Sequence, residues 1–266
     1  MTPLPISSLT REDVVDLKGV FCDIDDTLTW EGRLIPAAFQ SLADLQNDGL
    51  RVVPITGRPA GWVDLIARSW PVDGCVGENG GLWFYMNQGK LIERFVQSLE
   101  TRTKNRALLD GLADQIVRKV PGCALASDQP YRALDLAIDF AEDVPLMSEA
   151  EIDQIVAAFD EIGATSKVSS IHVNGWFGEF DKLAGCRGLV RDLWGEDLNE
   201  DRGNYLYFGD SANDEPMFEF FAKSIGVANV ATFLPRLKSP PKLITKGNGG
   251  YGFQEAIERV LELRRG

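Results

Sequence analysis

Apolar and polar positions follow two different rhythms along the chain. Val20, Phe21, Cys22 and Ile24 form a nearly continuous apolar run over residues 19–24 that breaks at Asp25-Asp26, the mark of a short strand buried on both faces. Pro36 stands at a first helical position, Phe39, Leu42, Ala43 and Leu45 follow at helical spacing, and Gly49 supplies the stop. Residues 50–55 read as a second strand ending at Thr56-Gly57-Arg58, and a helix from Pro59 to about Ser69 places Trp62, Leu65 and Ile66 on one face. Strand, helix, strand, helix implies right-handed crossovers and a parallel sheet.

After Val76-Gly77-Glu78-Asn79-Gly80-Gly81 the rhythm changes. Leu82 to Tyr85 and Lys90 to Arg94, separated by Asn87-Gln88-Gly89, predict an antiparallel hairpin. Residues 98–178 predict two helices and at least two strands. The first helix carries Leu108, Leu112, Ile116 and Val117 and stops at Pro121-Gly122; the second opens with the capping box Ser148-Glu149-Ala150-Glu151 and buries Ile152, Ile155, Val156 and Phe159. Leu134, Leu136, Ile138 and Phe140 alternate with smaller or acidic residues, and Ile171 and Val173 alternate with Ser170, His172 and Asn174. These strands have one apolar and one polar face, so the segment predicts a small α+β layer with one sheet face free.

The parallel pattern then resumes. A helix from Lys182 presents Leu183, Cys186, Leu189, Val190 and Leu193; residues 204–208 form a strand ending in Gly209-Asp210; a helix begins near Pro216; the last helix spans residues 253–263. The fold class is α/β: a doubly wound, Rossmann-like parallel sheet over residues 1–95 and 179–266, with an α+β cap domain inserted over residues 96–178.

Composition narrows the partners. The net charge of −13 repels polyanions, so neither nucleic acid nor an anionic membrane is expected as a partner. An anionic substrate then needs local positive groups. The four cysteines, Cys22, Cys75, Cys123 and Cys186, are scattered, with no CxxC pair and no neighbouring histidine to complete a zinc site. Residues 1–18 hold no apolar core of signal-peptide length, and no later run approaches a membrane span. A soluble, cytoplasmic protein with reduced thiols is expected, acting as a monomer or homodimer.

Asp23 and Asp25 stand two apart at the C-terminal end of a strand, where alternate side chains project to the same side. Open α/β sheets bind ligands at that edge, and Thr56-Gly57, Lys182 and Gly209-Asp210-Ser211-Ala212-Asn213-Asp214 fall at equivalent places or beside them. Taken singly, each has a plain structural reading. Paired aspartates make turns, Thr56-Gly57 is a turn, Lys182 a solvated helix residue and Asp214 an N-cap before Pro216. An EF-hand loop is excluded, because Leu28 and Leu34 occupy its glycine and glutamate positions. It is the joint placement at strand ends that points to a site.

In these stretches the chain resembles the haloacid-dehalogenase superfamily of phosphohydrolases, whose four motifs match Asp23-Ile24-Asp25-Asp26-Thr27, Thr56, Lys182 and Gly209 to Asp214. The insert between the second and third motifs, with Glu78-Asn79-Gly80, looks like the subgroup with a large α+β cap that includes many sugar-phosphate phosphatases. Asp26 departs from that subgroup, many members of which carry glycine there. The resemblance implies Asp23 as covalent nucleophile and Asp25 as acid and base. It implies Mg²⁺ held by Asp23, the backbone carbonyl of Asp25 and Asp210, with Asp214 and Asn213 orienting its waters or the phosphate. Thr56, Gly57, Lys182 and Asn213 would bind the phosphoryl group, and Arg58, Asn79, His172 and Asn174 are candidates to touch the rest of a small phosphorylated metabolite. Oxygen ligands without histidine or cysteine suit a hard cation. A carboxylate nucleophile needs that charge to approach a phosphate monoester.

Other features carry less. Gly247 to Gly252 matches GxGxxG but has too little chain after it for a dinucleotide-binding unit, and is read as a turn. His172, the single histidine, is either structural or part of a wall closing over substrate. Trp176 and Phe177 are expected to pack at the domain hinge. A hexose phosphomutase and a catalytically weak metal-binding regulator are the rival functions.

Overall fold

The computed structural model describes residues 2–169 and 171–266. Its larger sheet has nine strands in the spatial order Leu4–Pro5, Leu243–Ile244, Lys223–Gly226, Tyr205–Gly209, Gly19–Asp23, Arg51–Ile55, Cys75–Gly77, Leu82–Asn87 and Lys90–Phe95. All pairings are parallel up to Cys75–Gly77, and the last two strands add an antiparallel hairpin. Side-chain alternation on the central strand builds a core on each face. Val20 and Cys22 pack with the helices Pro36–Asn47, Ala60–Ser69 and Gly249–Arg265, whereas Phe21 packs with Lys182–Trp194 and Glu215–Phe220. All four cysteines are buried and unpaired. Among the described residues no helix is long and apolar enough to cross a membrane.

The insert is a four-stranded antiparallel sheet in the order Thr165–Val168, His172–Trp176, Leu136–Asp139, Ala124–Leu125, covered on one face by the helices Leu99–Lys119 and Glu149–Glu161. Leu136, Ile138 and Val173 point to those helices and meet Leu109, Leu112, Ile116, Ile155 and Phe159. The opposite face is not free. His172 and Asn174 are buried against the large sheet's carboxyl edge.

Several expectations need correction. Leu108 and Val117 are exposed, and the buried stripe runs through Leu109, Leu112, Ala113 and Ile116 instead. In the second crossover helix Val63, Ile66 and Ala67 are buried while Leu65 is exposed and Trp62 lies under the Arg58 guanidinium, 4.8 Å from it. Ile171 precedes its strand and lines a cavity instead of joining Val173 in the insert core. The last helix starts at Gly249, so most of the glycine run is helix. Leu4–Pro5, Ala124–Leu125 and Thr165–Val168 were not expected, since two to four residues give no readable period. Trp176 is buried and stacks on Phe180 just before the helix from Lys182.

Candidate active site

The Gly19–Asp23 strand delivers Asp23 to the sheet edge, where the chain turns back on itself. The carbonyl of Ile24 accepts from the amides of Thr27, Leu28 and Thr29, and the Asp26 amide donates to Thr29 Oγ1 at 2.8 Å. Asp26 has φ 56°, in the left-handed region that favours glycine, which is why glycine suits this position in the resembling subgroup. The C-terminal glycine run packs on this turn. A Cβ on Gly249, itself at φ 48°, would lie 2.3 Å from the Thr29 carbonyl oxygen. The run is therefore a backbone contact with the loop that follows Asp23.

Lys182 is the first residue of its helix, whose N-cap Asp181 accepts the Ala184 amide. Its buried ammonium donates to Asp23 Oδ1 at 2.5 Å and to Asp214 Oδ1 at 2.9 Å. Asp214 also accepts from Tyr207 Oη at 2.6 Å and from the amides of Asp210 and Ser211 at 3.0 and 3.2 Å, so it anchors both the lysine and the Asp210 loop. Asn229 donates to Asp210 Oδ2 at 3.2 Å and to the Asp26 carbonyl at 3.1 Å while accepting from Gly249 N.

Three buried carboxylates, Asp23, Asp210 and Asp214, thus crowd one ammonium. Burial pushes Asp23 up to about 8, with Lys182 opposing and Asp214 and Asp25 adding. Burial together with Asp214, Asp23 and Asp26 raises Asp210 well above the carboxylate range. Although burial disfavours its charge, Asp214 and Asp23 hold Lys182 above its ordinary value. Lys182 outweighs burial at Asp214, with Tyr207 helping, and holds that carboxyl low. The surplus negative charge suits a divalent cation. Among the described residues no side-chain cluster of three or more His, Cys, Asp or Glu forms a metal cage; Asp23 and Asp210 both line the cavity and are the buried carboxylates that could hold a cation there. All-oxygen donors of this kind fit Mg²⁺.

Thr56 is fully buried behind the cavity wall, its hydroxyl 3.4 Å from Asp25 Oδ2 and accepting the Arg58 amide at 2.9 Å. Arg58 pairs with Asp25, its Nε and Nη2 each 3.0 Å from Oδ1, and with Glu142 of the insert at 3.0 Å. Asp23, Asp25, Gly57, Arg58, Asn79, Lys182, Asp210 and Asn213 line one cavity of 440 Å³. Asp214 stands behind it.

The insert closes the other side with Arg132, Val168, Ser169, Ile171, His172 and Asn174. His172 Nε2 stands 2.9 Å from Glu142 Oε2 but off the line a hydrogen bond needs. This contact, working against burial and joined by Arg58, holds Glu142 down at about 2. Glu142 is placed by Asp139, whose carboxylate accepts the amides of Ala141, Glu142 and Asp143. Ser170, the other polar neighbour expected on this face, lies outside the described residues.

The site's supporting residues Glu78, Arg132, Glu142 and Asn229 carry no sequence signal as a set, except that Glu78 belongs to the Glu78-Asn79-Gly80 stretch. Each acts across a distance in sequence, such as the 75 residues from Arg132 Nη1 to the Gly57 carbonyl it reaches at 3.0 Å.

Residues 20–108 match a model of the haloacid dehalogenase-like hydrolases. The chain is 30% identical over 216 residues to a phosphoglycolate phosphatase of Methanospirillum hungatei, covering 80% of this chain and 84% of that one. It is 26% identical over 268 residues to a candidate phosphatase of Streptococcus pyogenes, covering 92% and 98%. Its fold matches a Thermoplasma acidophilum protein (TM-score 0.71, 16% identity, 93% and 99% covered). It also matches the sucrose-phosphatase of Synechocystis (TM-score 0.65, 17% identity, 92% and 98% covered). With a relative of this identity and coverage, and with the motif residues gathered around one cavity, the chain belongs to the haloacid dehalogenase-like hydrolase family.

Proposed function

We propose that this chain is a magnesium-dependent phosphatase that hydrolyses a small phosphorylated metabolite, a sugar or polyol phosphate, through an aspartyl-phosphate on Asp23. The observation that carries the reading is Lys182, buried and bonded to both Asp23 and Asp214, facing Asp25 and Asp210 across a cavity that the insert roofs with polar groups. Both curated relatives are named as phosphatases, one provisionally, and the Synechocystis neighbour was solved with sucrose and phosphate.

Asp23, the Asp25 carbonyl and Asp210 would hold Mg²⁺, whose charge would neutralise the transferring phosphoryl oxygens. Asp23 attacks phosphorus, forming an acyl phosphate on its carboxylate oxygen as the bond to the leaving oxygen breaks. Asp25 gives its proton to that oxygen, releasing the alcohol. In the second half Asp25 takes a proton from water, the water oxygen bonds phosphorus, and Asp23 leaves as carboxylate with inorganic phosphate as product. Lys182 supplies fixed positive charge, while the Gly57 amide and Asn213 hold phosphoryl oxygens; Thr56, expected to join them, stands behind the cavity wall and braces Asp25 and the Arg58 amide instead. The division into a core of residues 1–95 and 179–266 and an insert of residues 96–178 belongs to this reading, with His172, Asn174, Arg58 and Asn79 facing the leaving group. Four buried thiols support a reducing compartment, and the cytoplasm is the one assigned.

Phosphate release from p-nitrophenyl phosphate and a panel of sugar and polyol phosphates, with Mg²⁺, tests the reading. Turnover of at least one panel member is expected, and Asp23→Asn should remove it. No release from any of them, or wild-type rates in Asp23→Asn, would overturn it.

A further inference from the structure

Glu78 is fully buried, and its carboxylate accepts four backbone amides. Oε1 takes Ala60 N at 2.9 Å and Ala133 N at 2.7 Å; Oε2 takes Leu134 N at 2.6 Å and Asp135 N at 3.1 Å. Four donors saturate the lone-pair sites of one carboxylate. The donors come from two places. Ala60 opens the helix that follows Thr56-Gly57, and residues 133–135 lead into the insert strand Leu136–Asp139.

The backbone presenting this carboxylate is itself unusual. Glu78, Asn79 and Gly80 are successively left-handed, with φ 44°, 54° and 99°, and a Cβ on Gly80 would lie 1.8 Å from the Asp181 carbonyl oxygen, one residue before Lys182. Consecutive left-handed residues persist where surrounding contacts over-determine them. Glu78 provides such contacts. Beside it, the Asn79 side chain abuts Gly57, where an added Cβ would meet Asn79 Oδ1 at 3.2 Å.

The segment that Glu78 grips also orients the substrate-facing wall. The Asp135 carboxylate, fully buried, accepts Arg132 Nη1 at 3.0 Å and Asn174 Nδ2 at 3.0 Å, and the same Arg132 nitrogen reaches the Gly57 carbonyl at 3.0 Å. Asn174 is thereby referenced to the phosphate loop through charged, water-excluded contacts, which are short and directional.

Building on the phosphatase reading, we infer that Glu78 is a positioning residue that fixes the insert's wall against the Thr56-Gly57 loop, so that choice among substrates depends on it while the chemical step does not. An insert seated through three amides on one buried carboxylate opens elsewhere than at this edge. The wall therefore keeps a set distance from the phosphoryl site, and leaving groups are sorted by a preformed shape.

The experiment compares wild type, Glu78→Gln, Asn174→Ala and the double variant. The probes are p-nitrophenyl phosphate and whichever of glucose 6-phosphate, mannose 6-phosphate, sucrose 6-phosphate and glycerol 3-phosphate wild type hydrolyses fastest. In Glu78→Gln the new amide donor faces two backbone donors, so the wall shifts. The sugar or polyol phosphate is expected to lose about 10- to 100-fold in kcat/KM, mostly through KM, with p-nitrophenyl phosphate changing less than about threefold. In the Asn174→Ala background the Glu78→Gln loss should shrink below about threefold. Equal losses on both probes, or full additivity, would overturn the inference. Amide hydrogen exchange on unliganded wild type covers the case in which Glu78→Gln does not fold. The amides of Ala133, Leu134 and Asp135 are expected to exchange as slowly as those of the Gly19–Asp23 strand, and exchange at loop rates overturns the clamp. If wild type turned over no probe, the phosphatase reading would fail while the exchange rates still judged the clamp.

Discussion

The two walls of the cavity are built differently. On the core side Asp23, Asp25, Gly57, Lys182 and Asp210 sit at or beside strand ends and helix starts, each placed by its own short segment, and their charges meet directly. On the insert side His172 and Asn174 are placed through intermediaries: Asp139 sets Glu142, Glu142 meets His172 and Arg58, and Asp135 joins Asn174 to Arg132. A reaction common to many substrates needs a constellation that local backbone geometry can specify. A choice of substrate needs a surface whose shape depends on packing between units.

The contrast is most exposed to Asp23→Asn, which should abolish turnover of every substrate, by about 10⁴-fold or more in kcat, because it replaces the attacking carboxylate with a weakly nucleophilic amide. Survival of any substrate's turnover would break the contrast. Chelation with EDTA comes next: activity should fall about 10³-fold and return with Mg²⁺, and Mg²⁺ should raise the melting temperature of wild type but not of Asp210→Ala. A melting shift retained in Asp210→Ala would move the cation away from the core wall. The insert wall should respond selectively. His172→Ala is expected to change the ratio of kcat/KM between two sugar phosphates by about 10-fold, with p-nitrophenyl phosphate losing no more than about threefold. Equal losses would make His172 part of the common machinery.

The smallest effect concerns acid stability. Glu142 is held at about 2, below its unfolded value of 4.5, so its contribution is present above pH 4.5 and lost as pH falls toward 2. Its side chain is 30% exposed, so screening limits that contribution to about 1 kcal/mol. In urea titrations Glu142→Gln should be less stable than wild type at pH 6 by about this amount, and the gap should close toward pH 2. A gap that widened in acid would separate Glu142 from the His172 and Arg58 contacts.

Much of the core was legible in the order of its residues. The apolar run before Asp23, Pro36 and Gly49 around a helix, and the polar clusters after successive apolar stretches each report a strand end or a helix start. The glycine run at Gly247 reads as a turn, whereas most of it opens the last helix, and its contact with Leu28 and Thr29 left no trace because the two stretches are far apart in sequence. In the insert the alternation of Leu136 and Ile138 gave the strand, yet neither Arg132 nor Glu142 stood out. Their roles come from partners on other segments.

By itself, then, the sequence determined the doubly wound core, the interruption after Gly81 and the candidates Asp23, Asp25, Lys182 and Asp210, since each stands at a strand end or helix start that its own neighbourhood marks. Only the tertiary structure decided that the insert's polar face is buried over those residues, that Thr56 sits behind the cavity wall, and that Glu78 joins the two units. Contacts across 50 residues or more leave no periodic trace in the chain; they exist once packing has brought charge and amide together in a space that excludes water.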